Sequence, residues 1–181
     1  MNELALHIYD IVQNSIRANA SSVWITILEN TVKNEFKILI KDDGSGMSNE
    51  IALKVRNPFY TTRTTRDVGL GISLFEMAAD QCNGFLSLDS EVGVGTTLTI
   101  VFEHDHINRS PLGDMAETIY LLSLGDVNII YNHTINGKNF NYSKSDVLEV
   151  LGNVPMTNIE VKLWIEDYIK QNLESLSGNT E

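Results

Sequence analysis

The stretch LALHIYDIVQNSIRAN, residues 4–19, guides the interpretation of the rest of the chain. Plotted at about 100° per residue, its aliphatic side chains gather on one side, which predicts an amphipathic helix with one buried face. The other side carries Asp10, Gln13, Asn14 and Arg17. Asp10 and Asn14 are one helical turn apart, so their side chains lie one above the other. Alone, such a face is ordinarily solvated, but the segments that follow give it a chemical role.

The composition indicates a globular protein and excludes several classes. Of 181 residues, 43% are hydrophobic and only 3 are proline, so the chain can bury a core and is not disordered. The net charge of −11 argues against a nucleic-acid partner. The single cysteine, Cys82, has no partner for an internal disulfide. No apolar run could cross a bilayer and no signal peptide is visible, so we expect a soluble, cytoplasmic protein without a membrane partner.

Hydrophobic periodicity and turn residues predict two units, residues 1–103 and an extension of residues 104–181. The short connection between the first two strands predicts that they pair antiparallel. Asn136-Gly137, between two β-rich runs, predicts a hairpin in the extension. The predicted helices cover about 4–19, 49–56, 69–81, 115–124, 145–151 and 158–173, and the strands 23–29, 36–41, 85–90, 96–102, 127–133 and 138–142.

Three glycine clusters, residues 42–47, 69–71 and 93–95, stand at junctions between predicted elements, where the backbone must turn sharply or approach another group closely. In the first, residues 42–47, Asp42 ends a strand, and its carboxylate can accept a hydrogen bond from an exocyclic amine such as that of adenine. An ordinary Asp-Gly turn is the alternative. The second, residues 69–71, opens a helix, where free amides and the helix dipole favour an anion such as phosphate. By itself a Gly-x-Gly is equally consistent with a loop that simply enters a helix.

The loop between these two clusters is basic. Between Lys54 and Arg66 the chain has four basic residues and no acidic one, in a protein that is strongly acidic overall. A basic, threonine-rich loop beside a helix terminus that could bind phosphate suggests a lid over a nucleotide. An ordinary solvated loop is the alternative interpretation.

In this order the segments resemble the GHKL superfamily, the histidine-kinase-like ATPase domain of sensor kinases, anti-sigma-factor kinases, type II topoisomerases, mismatch-repair MutL and a heat-shock chaperone. Residues 10–20 resemble the N box, with a sequence closest to the MutL form, and residues 42–47 resemble the G1 box. Residues 57–63 resemble the F box of sensor kinases, residues 68–73 the G2 box, and residues 90–97 the G3 turn. Several weak motifs in one order are jointly specific.

The resemblance implies an α+β fold, a two-layer α/β sandwich with a mixed sheet and helices on one face, plus a small C-terminal α+β extension with a β-hairpin. Residues 1–103 would be the ATP-binding domain, and Asn14 would bind Mg²⁺. Asp10 would be the catalytic residue, one methylene shorter than the glutamate of many relatives that hydrolyse ATP. The other residues implied in nucleotide binding are Asp42, Gly44, Gly46, Met47 and Thr96 around the base, and Thr61, Thr62, Arg63, Gly69, Leu70 and Gly71 from the loop and the G2 box.

Three functions are compatible with this resemblance. The first is a regulatory kinase that transfers the γ-phosphoryl group of Mg²⁺-ATP to a separate partner protein. The N box begins at Asp10, so we expect no preceding helical hairpin with a phospho-acceptor histidine. The second is an ATP-driven conformational switch of the MutL kind, with a possible homodimer. The third is a non-catalytic adaptor that only senses nucleotide.

The last predicted helix carries an apolar stripe that includes Ile159, Leu163, Trp164, Tyr168 and Ile169. We expect this stripe to pack on the rest of the protein, with a surface for a partner as the alternative. The tryptophans are likewise expected to be packing residues rather than ligand-stacking ones.

Overall fold

The computed structural model describes residues 3–57 and 66–178. Within them the chain forms a six-stranded sheet with the strand order β3-β4-β2-β1-β5-β6. The helices are α1 Leu4–Arg17, α2 Asn49–Val55, α3 Arg66–Asp80, α4 Met115–Ser123, α5 Lys144–Leu151 and α6 Ile159–Leu176. The strands are β1 Ser22–Asn30, β2 Glu35–Asp42, β3 Phe85–Glu91, β4 Gly95–Glu103, β5 Asn128–Ile135 and β6 Lys138–Ser143.

The sheet is mixed because one central pairing is parallel. β1 pairs with β2 antiparallel, as predicted, and on its other side with β5 in parallel. β2–β4, β3–β4 and β5–β6 are antiparallel. The predicted hairpin at Asn136-Gly137 is confirmed, and it extends the sheet of the first unit rather than forming a separate one. The division into residues 1–103 and 104–181 stays a prediction.

Alternation along the strands separates a buried face from an open one. Val23, Ile25 and Ile27 of β1 are buried, whereas Trp24 and Leu28, which point to the other face, are partly exposed. The buried face packs against the helical layer in a hydrophobic cluster that includes Cys82. The predicted two-layer α+β sandwich with a mixed sheet is therefore confirmed.

The start of α1 is held by the chain beyond β4. Glu3 stands at the N-cap without a side-chain hydrogen bond. Instead, the amide of Leu4 donates to the carbonyl of Pro111 at 2.9 Å, and the amide of Ala5 donates to that of Leu112 at 2.8 Å. These carbonyls satisfy amides that have no acceptor within the helix. The segment after β4 thus fixes the helix that carries Asp10 and Asn14.

Two helix boundaries differ by three residues from their predicted positions. α3 begins at Arg66, three residues before the predicted start at Gly69, because glycine inside a helix costs only about 1 kcal/mol and tertiary packing overrides it. α6 continues to Leu176, and its N-cap Asn158 accepts hydrogen bonds from two amides of the first turn. Among the described residues, no helix combines the length and apolarity needed to cross a bilayer.

Candidate functional site

A cavity of about 220 Å³ opens between α1 and the ends of the central strands. Its walls are mostly apolar, and its polar lining comes from α1, from the ends of β2 and β4 and from the first glycine cluster. Five of the predicted site residues line it: Asn14, Asp42, Gly46, Met47 and Thr96. Apolar lining from Ile11, Ile40, Ile72, Leu88 and Leu98 completes the walls. A slot of this kind suits a flat heteroaromatic ring with a few directed hydrogen bonds.

Asp42 is the polar anchor of this cavity. It ends β2, is buried, and is held from two sides. Its Oδ2 accepts a hydrogen bond from Ser15 Oγ at 2.6 Å, and its Oδ1 accepts one from the amide of Gly44 at 2.9 Å. Each carboxylate oxygen has two acceptor positions, so the side chain can still accept a hydrogen bond from a ligand.

Ser15 was not among the predicted site residues, although the sequence contains a signal for it. It lies on the apolar side of α1 directly after Asn14 and is buried. A buried hydroxyl on a core-facing helix position requires a partner, and the nearest predicted carboxylate at a strand end was Asp42. The sequence alone did not indicate that α1 crosses that strand end.

The glycines of the first cluster are required by the protein's own backbone. Gly46 has φ +69°, and a Cβ at this position would lie 2.0 Å from the carbonyl oxygen of Glu91. A Cβ at Gly44 would lie 2.9 Å from the carbonyl oxygen of Ala18 at the end of α1. Gly46 lines the cavity, whereas Gly44 supports it from behind by positioning the amide that binds Asp42.

Ser90 links two residues that line the cavity, Met47 and Thr96. Thr96 is the cross-strand neighbour of Asp42 in the β2–β4 register. Its Oγ1 lies 2.8 Å from Ser90 Oγ, and Ser90 Oγ also accepts a hydrogen bond from the amide of Met47 at 2.8 Å. Ser90 was not predicted as a site residue, and its role depends on a turn that brings β3 beside the first glycine cluster.

A second cavity, of about 510 Å³, lies beside the polar face of α1. It is lined by Tyr9, Asp10, Gln13 and Arg17 from α1 and by Leu70, Gly71 and Leu74 from α3. A Cβ at Gly71 would lie 3.6 Å from Ile11 Cδ1, 3.8 Å from Asn14 Nδ2 and 3.9 Å from Asp10 Cβ. The second glycine cluster thus packs directly on the predicted magnesium and catalytic residues.

Arg17 lies where the two cavities meet, since it lines both. Its Nη1 donates to Asn14 Oδ1 at 3.1 Å, so the amide oxygen predicted to bind Mg²⁺ faces a guanidinium in this structure. Arg17 is exposed and was not predicted as a site residue. Its position would allow it to contact an anion that extends from one cavity to the other.

The remaining predicted residues belong to the loop and to the second glycine cluster. Thr61, Thr62 and Arg63 lie outside the described residues. Gly69 lies in the first turns of α3, because that helix begins at Arg66. In a continuous helix the amides of Leu70 and Gly71 point toward carbonyls of the preceding turn, so their availability to phosphate requires that turn to open.

Two basic residues at the start of the predicted lid, Lys54 and Arg56, are paired with acids. Arg56, at the end of α2, forms an ion pair with Glu76 of α3, and its Nη2 also donates to the carbonyl of Leu86 at 3.1 Å. The hydrogen bond that Arg56 donates to Glu76 raises the pKa of Arg56. Lys54 Nζ lies 3.0 Å from Glu50 Oε1 on the same helix. Arg56 therefore fastens α2 to α3 and β3.

His7 holds α1 against α3. Its ring stacks on Phe75 with 5.0 Å between the ring centroids and an interplanar angle of 24°. Burial lowers the pKa of His7 and outweighs the opposing effect of Asp10, which favours the neutral imidazole. Among the described residues, no cluster of three or more His, Cys, Asp or Glu side chains could hold a metal ion. An Mg²⁺ held by Asn14 would depend on ligand phosphates and water for its other positions.

Comparison with known proteins agrees with this geometry. Residues 2–106 match the family described as histidine kinase-, DNA gyrase B-, and HSP90-like ATPase. The sensor histidine kinase YvrG of Bacillus subtilis is 26% identical over 98 residues, which cover 52% of this chain and 17% of that protein. Sporulation kinase C of Bacillus subtilis is 29% identical over 100 residues, covering 55% and 23% respectively. The chain thus spans about a fifth of the length of these relatives.

A solved structure extends the likeness beyond the family match. The N-terminal domain of a DNA repair protein superposes with a TM-score of 0.54 at 15% identity, over 83% of this chain and 57% of that chain. At this identity the likeness concerns the fold alone. The family match covers more than half of the chain, including every residue that lines either cavity. The chain belongs to the family of histidine kinase-, DNA gyrase B- and HSP90-like ATPases.

Proposed function

We propose that this protein binds Mg²⁺-ATP across the two cavities and transfers the γ-phosphoryl group to a separate protein. The observation that carries the proposal is the placement of Asp42, a buried carboxylate that is held by Ser15 and Gly44 and lines a mostly apolar cavity. The family membership and the likeness to sensor histidine kinases support a nucleotide as the ligand.

The base is expected at the Asp42 end of the first cavity. An adenine amino group can donate to the Asp42 carboxylate while the ring lies between apolar walls from Ile40, Ile72 and Leu98. Guanine presents a carbonyl oxygen at the corresponding position. That oxygen cannot donate a hydrogen bond, so the carboxylate would repel it. The pocket should therefore select ATP over GTP.

The phosphates are expected to extend past Arg17 toward Asp10. Arg17 lines both cavities and supplies a cation on this path. Asn14 offers a hard amide oxygen that would hold Mg²⁺, and the ion would neutralise charge on the phosphates. For the amides of Leu70 and Gly71 to contribute, the start of α3 must open when nucleotide binds.

In the transfer step, a nucleophile of the partner attacks the γ-phosphorus. The bond between that phosphorus and the bridging oxygen breaks, and ADP leaves with the bond's electrons. Asp10, exposed on α1 in the second cavity, would accept the proton of the attacking group or orient it.

Nucleotide binding can be tested by thermal unfolding with and without Mg²⁺-ATP. At a hundred times its dissociation constant, ATP should stabilise the wild type by about 2.7 kcal/mol. Asp42→Asn should lose most of that shift, whereas Asp146→Asn, at an exposed position on α5, should keep it. Asn14→Ala should lose the part of ATP affinity that depends on Mg²⁺. An unchanged shift in Asp42→Asn would contradict the placement of the base.

Transfer can be tested separately with γ-labelled ATP and purified proteins encoded by neighbouring genes. We expect label on one of them, and Asp10→Asn should lower the transfer rate without lowering ATP affinity. Stable ATP binding with no labelled protein and no phosphate release would refute transfer while leaving the nucleotide site intact.

A second candidate is an ATP-driven switch that alters a protein interface. It is favoured by the hydrogen bonds through which Pro111 and Leu112 hold the start of α1, because a shift of α1 on nucleotide binding would reach the C-terminal segment. ATP-dependent dimerisation or steady phosphate release without transfer would support this alternative.

A further inference from the structure

The last helix, α6, leaves much of its apolar surface uncovered. Ile169 is buried against the rest of the protein, as the sequence predicted for the apolar stripe, and so are Val161 and Ile165. However, Ile159, Leu163, Trp164 and Tyr168 are 64%, 58%, 45% and 41% exposed. The expectation that Ile159, Leu163 and Trp164 pack on the rest of the protein is therefore wrong, and the alternative, a surface for a partner, applies to them. A helix that is apolar on more than one side is normally covered on more than one side.

The exposed residues form one connected surface, which we call the 159–168 face: Ile159, Glu160, Leu163, Trp164, Asp167 and Tyr168. Ile159 and Leu163 are one turn apart, as are Trp164 and Tyr168, so each pair meets on the helix surface. The rings of Trp164 and Tyr168 stack with centroids 6.0 Å apart and an interplanar angle of 16°.

The aromatic pair is anchored before any partner arrives. Tyr168 packs edge to face on Phe140 of β6, with the centroids 5.6 Å apart. β6 is the edge strand of the sheet, so the pair sits at the rim of the molecule. Ordering the two large rings in advance reduces the entropy lost on binding. Tryptophan and tyrosine are also the side chains that most often dominate binding energy at protein interfaces.

The charge on the 159–168 face is acidic. Glu160 and Asp167 are exposed beside the aromatic pair. Lys162, the only basic residue between them, turns away from the face: its Nζ lies 3.9 Å from Glu166 Oε1 and 5.9 Å from the centroid of the Tyr120 ring. A partner segment that covers this face must therefore neutralise acids while burying apolar and aromatic surface.

We propose that the 159–168 face binds an amphipathic, basic segment of a partner protein, with apolar side chains against Leu163 and Trp164 and arginine or lysine beside Glu160 and Asp167. Arginine can pair with the carboxylates and stack on the rings. A second copy of this chain fits less well, because it would set the same acids against each other. This inference is independent of the proposed phosphoryl transfer.

Defined peptides can test this. Trp24→Phe leaves Trp164 as the only tryptophan, so its fluorescence reports on the face. The probe is an amphipathic peptide of about 18 residues, five helical turns, with leucines on one side flanked by arginines. The matched peptide has the same leucines flanked by glutamates. We expect the basic peptide to bind with a saturable blue shift of Trp164 emission, and the acidic peptide to bind at least about tenfold more weakly.

Variants of the protein locate the binding. The double variant Ile159→Ser, Leu163→Ser should bind the basic peptide at least about tenfold more weakly than the wild type does. Val32→Ser, at a 92% exposed apolar position between β1 and β2, is the matched control and should change nothing. Glu160→Gln with Asp167→Asn should weaken binding and reduce its salt dependence. Circular dichroism of each variant should match that of the wild type.

Three results would overturn the proposal. The first is no binding, or equal binding of both peptides. The second is a serine double variant that binds the basic peptide as well as Val32→Ser does. The third is a dimer in analytical ultracentrifugation that the serine double variant dissociates, which would assign the face to a second copy.

Discussion

Ser15 Oγ donates a hydrogen bond of 2.6 Å to Asp42 Oδ2, and this contact joins the middle of α1 to the end of β2. Both residues are buried. The hydroxyl holds the carboxylate in one orientation and leaves room for a further donor. The proposed nucleotide site thus depends on a residue of the buried side of α1 as much as on the exposed polar face that the sequence emphasises.

Ser15→Ala should therefore weaken ATP binding and destabilise the fold by about 1–3 kcal/mol, because a buried carboxylate loses a donor. Urea unfolding and calorimetric titration with ATP measure the two effects. Ser123→Ala is the matched control: Ser123 is also buried and bonds to Tyr142 Oη at 2.9 Å in the C-terminal segment. It should lose stability and keep ATP affinity. Equal losses of ATP affinity in both variants would contradict a specific role for Ser15.

Gly71→Ala should lower ATP affinity without lowering the stability of the protein. A Cβ there meets only ordinary van der Waals contacts, the nearest 3.6 Å away, so the variant should be as stable as the wild type or up to about 1 kcal/mol more stable. ATP affinity should fall, because the methyl group occupies the space beside Asn14 and resists opening of α3. Gly125→Ala, in open space, should leave affinity unchanged. Wild-type affinity in Gly71→Ala would show that α3 stays closed when nucleotide binds.

Gly113→Ala tests the support of α1. Gly113 has φ +86°, and its Cβ would lie 2.5 Å from Glu3 Oε2, so the substitution should disturb the start of α1. Gly152→Ala carries a similar backbone penalty, since φ is +58°, but its Cβ would meet nothing within 4 Å. Both variants should lose about 1–2 kcal/mol of stability. Only Gly113→Ala should also lose ATP affinity. Equal ATP affinities of the two variants would show that the segment around Gly113 does not support the proposed nucleotide site.

Glu29 should make the stability of the protein depend on pH in the acidic range. Burial acts to raise the pKa of Glu29, but hydrogen bonds and charge from His133 and His104 outweigh it and lower the pKa. His133 Nε2 lies 2.7 Å and His104 Nε2 3.1 Å from the carboxylate. A carboxyl whose folded pKa is depressed contributes stability above its unfolded pKa, and this is lost as pH falls through the folded value.

The wild type should accordingly lose stability between about pH 5 and pH 3, where carboxyl groups are protonated. Glu29→Gln should be less stable at neutral pH and lose less over that interval. Glu50→Gln, at a well-exposed helix position, should behave as the wild type does. Chemical unfolding at a series of pH values measures the difference, and parallel curves for wild type and Glu29→Gln would rule out this origin of acid sensitivity.

Local signals in the sequence predicted local structure. The apolar stripe of α1, the short β1–β2 connection and Asn136-Gly137 each specified an element or a pairing that the structure contains. The cavity residues Asp42 and Thr96 could also be placed, because ordered motifs imply a family with a known site arrangement. Their meeting across β2 and β4 follows from the antiparallel register.

Contacts between distant segments could not be predicted in this way. The parallel pairing of β1 with β5 leaves no periodic trace in either strand, and neither does the bond between Ser15 and Asp42. The exposure of Trp164 was missed for the opposite reason: its helix has an apolar pattern whether the neighbour is the same chain or another protein. Arg17 looked like an ordinary solvent-facing residue until α3 placed a second cavity beside it.

The carbonyls of Pro111 and Leu112 that accept from the first amides of α1 have a consequence for the order of folding. On the ribosome α1 emerges well before the segment that caps it, and a short helix without its cap and its packing partners is only marginally stable in water. Closing so long a loop is slow compared with forming a helix or a hairpin. The nascent chain should therefore acquire affinity for ATP only after the segment beyond β4 has docked, late in synthesis rather than when its motifs are complete.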